Sequence, residues 1–254
     1  PTLFNLLLVQ ALASALVLAL LMTGWKASRA ARWAQACMSL QALGWLLLAG
    51  AAAPGWERLL LSGAMFAFSA SLSALWWALG LWLTPRPGRA VLLLAPLLMP
   101  VVYGLQFEDA AFRVGWAHYW LALQLGMLGV SLSLPSKPST VPGADNRRWR
   151  ALLLAAVLPL ALVCILRGSV GAFGHLLPSP FSADALNTLL ALPCHLALLL
   201  SLLAFVLAWR GETEAELARL AQTDGLTGLA DRRAFASRSV DMISMARRHQ
   251  EPLA

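Results

Sequence analysis

The feature that most constrains this sequence is a succession of apolar blocks, each about 17 to 25 residues long and almost free of charge. An α-helix rises about 1.5 Å per residue, so one block reaches across a bilayer core of about 30 Å. A single globular core has no room for this much apolar surface. Of the 254 residues, 59% are hydrophobic and 12% charged, about half the charge of an average soluble domain. The chain therefore reads as an all-α polytopic membrane bundle of seven transmembrane helices. The spans fall at about 3–25, 33–53, 60–83, 90–106, 114–134, 151–167 and 186–209. The fourth is short and carries Pro96 and Pro100, which predict a kink.

The loops predict an orientation. Lys26, Arg29, Arg32, Arg86, Arg89, Lys137, Arg147, Arg148 and Arg150 give nine basic residues in three alternate loops. The other three loops hold only Arg58, Arg113 and Arg167. Because basic residues collect on the cytoplasmic side, the N-terminus is expected outside and the C-terminus inside. Glu57, Glu108, Asp109 and Asp184 then fall on the outer side. The net charge of +7 follows from that topology, and no nucleic-acid partner is inferred from it. Trp25, Trp33, Trp56, Trp82, Trp149 and Trp209 lie at predicted span ends, where indole rings suit the headgroup layer. Cys37, Cys164 and Cys194 lie inside apolar blocks without metal-ligand spacing, and read as small core hydrophobes. The first block lacks a basic leader and is too long for a cleavable signal peptide. The chain opens on Pro1 without Met, so a few preceding residues are expected.

The span interiors carry no Asp, Glu, Lys or Arg. An ion transporter needs such groups inside the bilayer, so ion transport is disfavoured, although a carrier of neutral solutes stays open. The intramembrane polar residues are Gln10, Gln35, Gln41, Gln124 and His195. His195 follows Pro193 and Cys194. It reads either as a metal, haem or proton-sensing group, or as a histidine hydrogen-bonded to a neighbouring helix. Near the outer face, Tyr103, Gln106, His118 and Tyr119, with Glu108 and Asp109, are candidates for an outward-facing ligand pocket. The basic end of the 135–150 loop suits either a topogenic signal or anionic lipid headgroups.

After Trp209 the composition turns polar. "RGETEAELARL" continues as a helix, expected over 210–223, and a seam of Leu199, Leu203, Val206, Arg210, Thr213, Leu217 and Leu220 suggests pairing with a second copy. Thr223, Asp224 and Gly225 signal a turn, and Thr227 is placed to cap a following helix. That helix has an apolar face of Phe235, Ala236, Val240, Met242, Ile243 and Ala246. The chain ends soon afterwards, so this face predicts a truncated domain. The GxxxxGK[ST] phosphate loop is absent.

The stretch Asp224-Gly-Leu226-Thr227-Gly228-Leu229-Ala-Asp231-Arg232-Arg233 resembles the opening motif, D-x-L-T-G-L-x-N-R-R, of the GGDEF domain of bacterial diguanylate cyclases. It matches at Asp224, Leu226, Thr227, Gly228, Leu229, Arg232 and Arg233, and departs at Asp231, where the family usually has Asn. The resemblance covers about 210–254 and implies three parts. These are a seven-helix membrane sensor (1–209), a signalling linker helix (210–223) and the start of an α/β GGDEF domain (224–254). It further implies a bacterial inner membrane, a homodimer, and cyclic di-GMP made from two GTP with Mg²⁺. The catalytic loop and the metal-binding carboxylates lie downstream in the family, so no catalytic residue is assigned to this chain. The alternatives are a degenerate GGDEF domain, a GGDEF domain followed by a phosphodiesterase, or a small-solute transporter with a regulatory tail. The sensed ligand is unidentified.

Overall fold

The computed structural model describes residues 3–23, 27–51, 55–135, 147–173 and 185–221, with 239, 242, 243, 245, 246 and 248 in the tail. Seven helices run in order: α1 (Leu3–Thr23), α2 (Arg29–Gly50), α3 (Glu57–Trp82), α4 (Arg89–Leu105), α5 (Ala110–Ser133), α6 (Arg147–Phe173) and α7 (Ala185–Ala221). No strand occurs among the described residues. Four helices (α1, α3, α6 and α7) are long and apolar enough to cross a membrane, so the protein is a helical membrane bundle. The other three do not reach that length and apolarity, so four of the seven expected spans are shown. Arg29, Arg32, Gln35 and Gln41 lower the apolarity of α2, and Arg113, His118 and Gln124 that of α5. The 17-residue α4 is apolar but short.

Chain termini and loop chemistry set the helix ends. Ser28 caps α2, its hydroxyl accepting from the Ala31 amide at 3.0 Å, which answers one orphan donor of the first turn. Asp109 does the same for α5, accepting from Phe112 at 2.9 Å. Gly88, the residue before α4, has φ +95°, a left-handed conformation that costs a side-chain-bearing residue far more.

The chain divides into two compact units, a bundle of Pro1–Pro138 with Asn146–Ala208 and a second unit containing Trp209–Ala254. Within the bundle α3 is the hub, packing on α2, α4 and α5. Its buried face is mostly small: Ala64, Ala67, Ser69, Ser71, Ser73, Ala74 and Ala78. Lipid is as apolar as leucine, so helices in a bilayer associate by close packing and hydrogen bonds rather than by hydrophobic exclusion. Both occur here. Gly44 of α2 lies so close to Phe68 that an added Cβ would sit 2.6 Å from the ring. The Ser69 hydroxyl donates to Gln124 Oε1 at 2.8 Å, and Gln124 Nε2 returns a bond to the Ser69 carbonyl at 3.2 Å. Ser73 donates to the Leu92 carbonyl of α4.

Three belt tryptophans take structural roles. Trp149 is buried, with its ring 5.7 Å from Trp82, which also lies 6.2 Å from Phe205 of α7. Trp33 stacks on Trp77 at 6.0 Å. Within the second unit, Arg210 pairs with Glu214 at 2.7 Å, one helical turn on. Met242, Ile243 and Met245 are helical and exposed there. The motif residues Asp224, Leu226, Thr227, Gly228, Leu229, Arg232 and Arg233 lie outside the described residues.

Candidate functional site

The four residues expected to line one outer pocket face different ways. Tyr103 is buried among Ala64, Met65, Met99 and Ala117, with its ring edge-on to Phe107 at 6.4 Å. The Arg113 guanidinium lies 4.3 Å from the Phe107 ring centre and 6.0 Å from that of Tyr103, so ring faces answer part of its charge. Gln106 ends α4 and is exposed, as are Glu108 and Asp109. The Asp109 carboxylate is occupied by capping α5.

His118 and Tyr119 belong to the α5–α6 contact instead. His118 Nδ1 is 2.8 Å from the Val114 carbonyl. A carbonyl only accepts, so this nitrogen carries the proton. Ser169 donates to the Ile165 carbonyl at 2.9 Å, which leaves its oxygen to accept from the Tyr119 hydroxyl at 3.0 Å. Gly168 makes the approach possible, since a Cβ there would lie 3.2 Å from His118 Cβ and 3.3 Å from the Tyr119 ring. Tyr119 lines an open apolar cleft of about 370 Å³ with Phe112, Trp116, Trp120 and Ala172.

A second cavity, of about 70 Å³, lies where α2, α3, α5, α6 and α7 meet. Its lining is mostly apolar, and the residues with polar groups are Gln41, Trp45, Ser201, Cys37 and Cys194. An apolar chamber with a few converging polar groups is the usual form of a small-molecule site. This one has room for about two waters or for a ligand smaller than benzene. Its residues lie far apart in sequence, and no spacing announced it. The signal available was the presence of Gln41 and two cysteines inside spans, since polar or polarisable groups at that depth need a reason. Cys37 and Cys164 are buried and Cys194 half-buried, and none of the three is in a disulfide.

His195 ties α7 to α1. Gln10 Nε2 donates to the His195 carbonyl at 2.9 Å, and His195 Nδ1 lies 2.5 Å from Gln10 Oε1. Because the Gln10 amide nitrogen is engaged elsewhere, its oxygen accepts and Nδ1 carries the proton. Nε2 is then the bare ring nitrogen, and it is buried without a partner. No group of three His, Cys, Asp or Glu side chains gathers as a metal site among the described residues. Comparison with protein-family models, curated proteins and solved structures gives no match to this chain.

Proposed function

We propose that this chain is the membrane-embedded sensory part of a diguanylate cyclase, joined to the start of its GGDEF domain. The observation that carries the reading is the Asp224–Arg233 motif in the sequence, placed just after α7, a single helix from Ala185 to Ala221. In this reading all seven helices cross a bacterial inner membrane, with the N-terminus outside and the C-terminus in the cytoplasm. α2, α4 and α5 need not be as apolar as α1 to do so, because they cross as parts of a bundle. The Ser69–Gln124 pair supports this, since it hides α5's most buried amide from lipid. The cavity bordered by Gln41, Cys194 and Ser201 is the place where a small sensed molecule would act on α7. The cyclase domain joined to α7 would dimerise, bind GTP with Mg²⁺ and release cyclic di-GMP.

The test uses the gene product that contains this chain, reconstituted in liposomes with GTP and Mg²⁺. Cyclic di-GMP should form, and one residue inserted within 212–221 should change its rate, because each residue rotates a helix by about 100°. No product from the intact protein, or a downstream sequence without GG(D/E)EF, would overturn the cyclase reading. Unchanged regulation after the insertion would overturn the helical relay alone.

A further inference from the structure

Between α3 and α4 the chain turns through Thr84-Pro-Arg86-Pro-Gly88. Arg86 in this turn is buried, at 7% exposure. Its Nη1 donates to the carbonyls of Leu134 at 3.3 Å and Pro135 at 3.2 Å, at the C-terminal end of α5. Arg150 of α6 approaches the same end. It donates through Nε to the Leu132 carbonyl at 3.0 Å and through Nη2 to the Leu134 carbonyl at 2.6 Å. Two guanidinium charges thus converge on one helix C-terminus, which offers the equivalent of about half a negative charge.

Arg86 uses only one of its nitrogens on those carbonyls. Its Nε and Nη2 are buried and have no partner. These two atoms form one edge of the planar guanidinium. They present the pair of parallel N–H groups that matches two oxygens of a phosphate or carboxylate. Among the described residues no carboxylate pairs with Arg86. Burial, and then the charge of Arg150, both push the Arg86 guanidinium toward losing its proton, as expected of a cation that lacks an anion. The surroundings locate the missing group. Trp76 donates to the Pro87 carbonyl at 2.9 Å. Trp82 and Trp149, near the ends of α3 and α6, pack against each other. This end of the bundle therefore lies at headgroup level, where indoles and arginines collect.

We infer that the free edge of Arg86, supported by Arg150, is a phosphate site that takes the headgroup of an anionic phospholipid. Both fork atoms are enclosed by the protein itself, so a phosphate engages them only as the side chain swings outward; a lipid is inferred as its source because indoles and arginines gather at this end of the bundle. The inference stands on the bundle alone and is independent of the cyclase reading.

The 254-residue chain, purified in a zwitterionic detergent, is titrated with phosphatidylglycerol, phosphatidylcholine or inorganic phosphate. Bound lipid is counted by native mass spectrometry and the melting temperature is followed. One phosphatidylglycerol should be held tightly and raise the melting temperature, while phosphatidylcholine should not. Arg86→Gln should weaken that binding by about tenfold or more. Arg86→Lys keeps the charge but loses the fork, and should also weaken it severalfold. Arg148→Gln, at an exposed arginine of the neighbouring α6 terminus, should change it less than about twofold. Protection by inorganic phosphate equal to that by phosphatidylglycerol would overturn the lipid source and leave the phosphate site standing. Equal loss in Arg86→Gln and Arg148→Gln would reduce the site to general surface charge and overturn it. So would wild-type protein that does not distinguish phosphatidylglycerol from phosphatidylcholine and ignores phosphate. These lipid comparisons need no variant, so misfolding of Arg86→Gln does not shelter the proposal.

Discussion

α1 and α3 are both long and apolar enough to cross a membrane, yet they sit in the bundle in opposite ways. About a quarter of the α1 window is buried (28%), against over half of that in α3 (56%). α1 turns Leu6, Val9, Leu16 and Leu20 outward and buries Leu7, Ala11, Leu18 and Met22. α3 puts alanines and serines against three neighbours. The difference shows that apolarity settles whether a helix enters a bilayer, while small side chains and hydrogen bonds settle where it stands among others. The more polar-looking helix is the centre, and the leucine-rich one is the rim.

Substitutions can break or sharpen this contrast. The largest effect is expected for Gly44→Val, which would press a side chain onto Phe68 of α3. A loss of roughly 1–3 kcal/mol is expected, read as a lower melting temperature in detergent, and an unchanged value would remove α3's close contact with α2 from the account. Next comes Gln124→Leu, which orphans the buried Ser69 hydroxyl. It should cost about 1 kcal/mol, and a double-mutant cycle with Ser69→Ala should return a coupling of roughly 0.6–1.7 kcal/mol. A coupling near zero would mean that packing alone holds α5 to the hub. On the rim, Gln10→Leu removes the bond to His195 and should cost about 0.6 kcal/mol. The smallest effect is expected for Leu16→Ala, within about 0.5 kcal/mol, because Leu16 faces outward at 60% exposure. A loss there as large as at Gln124 would erase the distinction between hub and rim.

Helix positions were legible in the sequence because apolar runs mark where lipid must be crossed. Helix ends were less so. The second block was read from about 33, yet α2 begins at Arg29, because Ser28 caps it a turn earlier. The sixth was read over about 151–167, yet α6 runs Arg147–Phe173. Arg147 and Arg148 lie outside the apolar run but inside the helix and are exposed, since a long charged side chain can keep its head in water while its stem lies along the bundle. The direction in which the candidate site residues face was not legible. Tyr103 and His118 were both read near the outer face. Tyr103, however, belongs to a cluster with α3 residues and His118 to the contact with α6. In a soluble protein a polar face would have told the two sides of α5 apart. In a membrane both lipid and core are apolar, so hydropathy carries no sign of which way a side chain faces.

The serines of α3 bear on how the protein is made. Ser71 donates to the Phe68 carbonyl at 2.6 Å and Ser73 to the Ser69 carbonyl at 3.2 Å, so these hydroxyls find acceptors within their own helix. α3 can therefore enter the bilayer with part of its polarity already concealed, although the Ser69 hydroxyl finds Gln124 only when α5 arrives. α2 is synthesised first but lacks that independence. Trp33 and Gly44 meet Trp77 and Phe68 only after α3 has emerged from the ribosome. The helix at the centre of the finished bundle is thus also the one on which the earlier-made helix must wait.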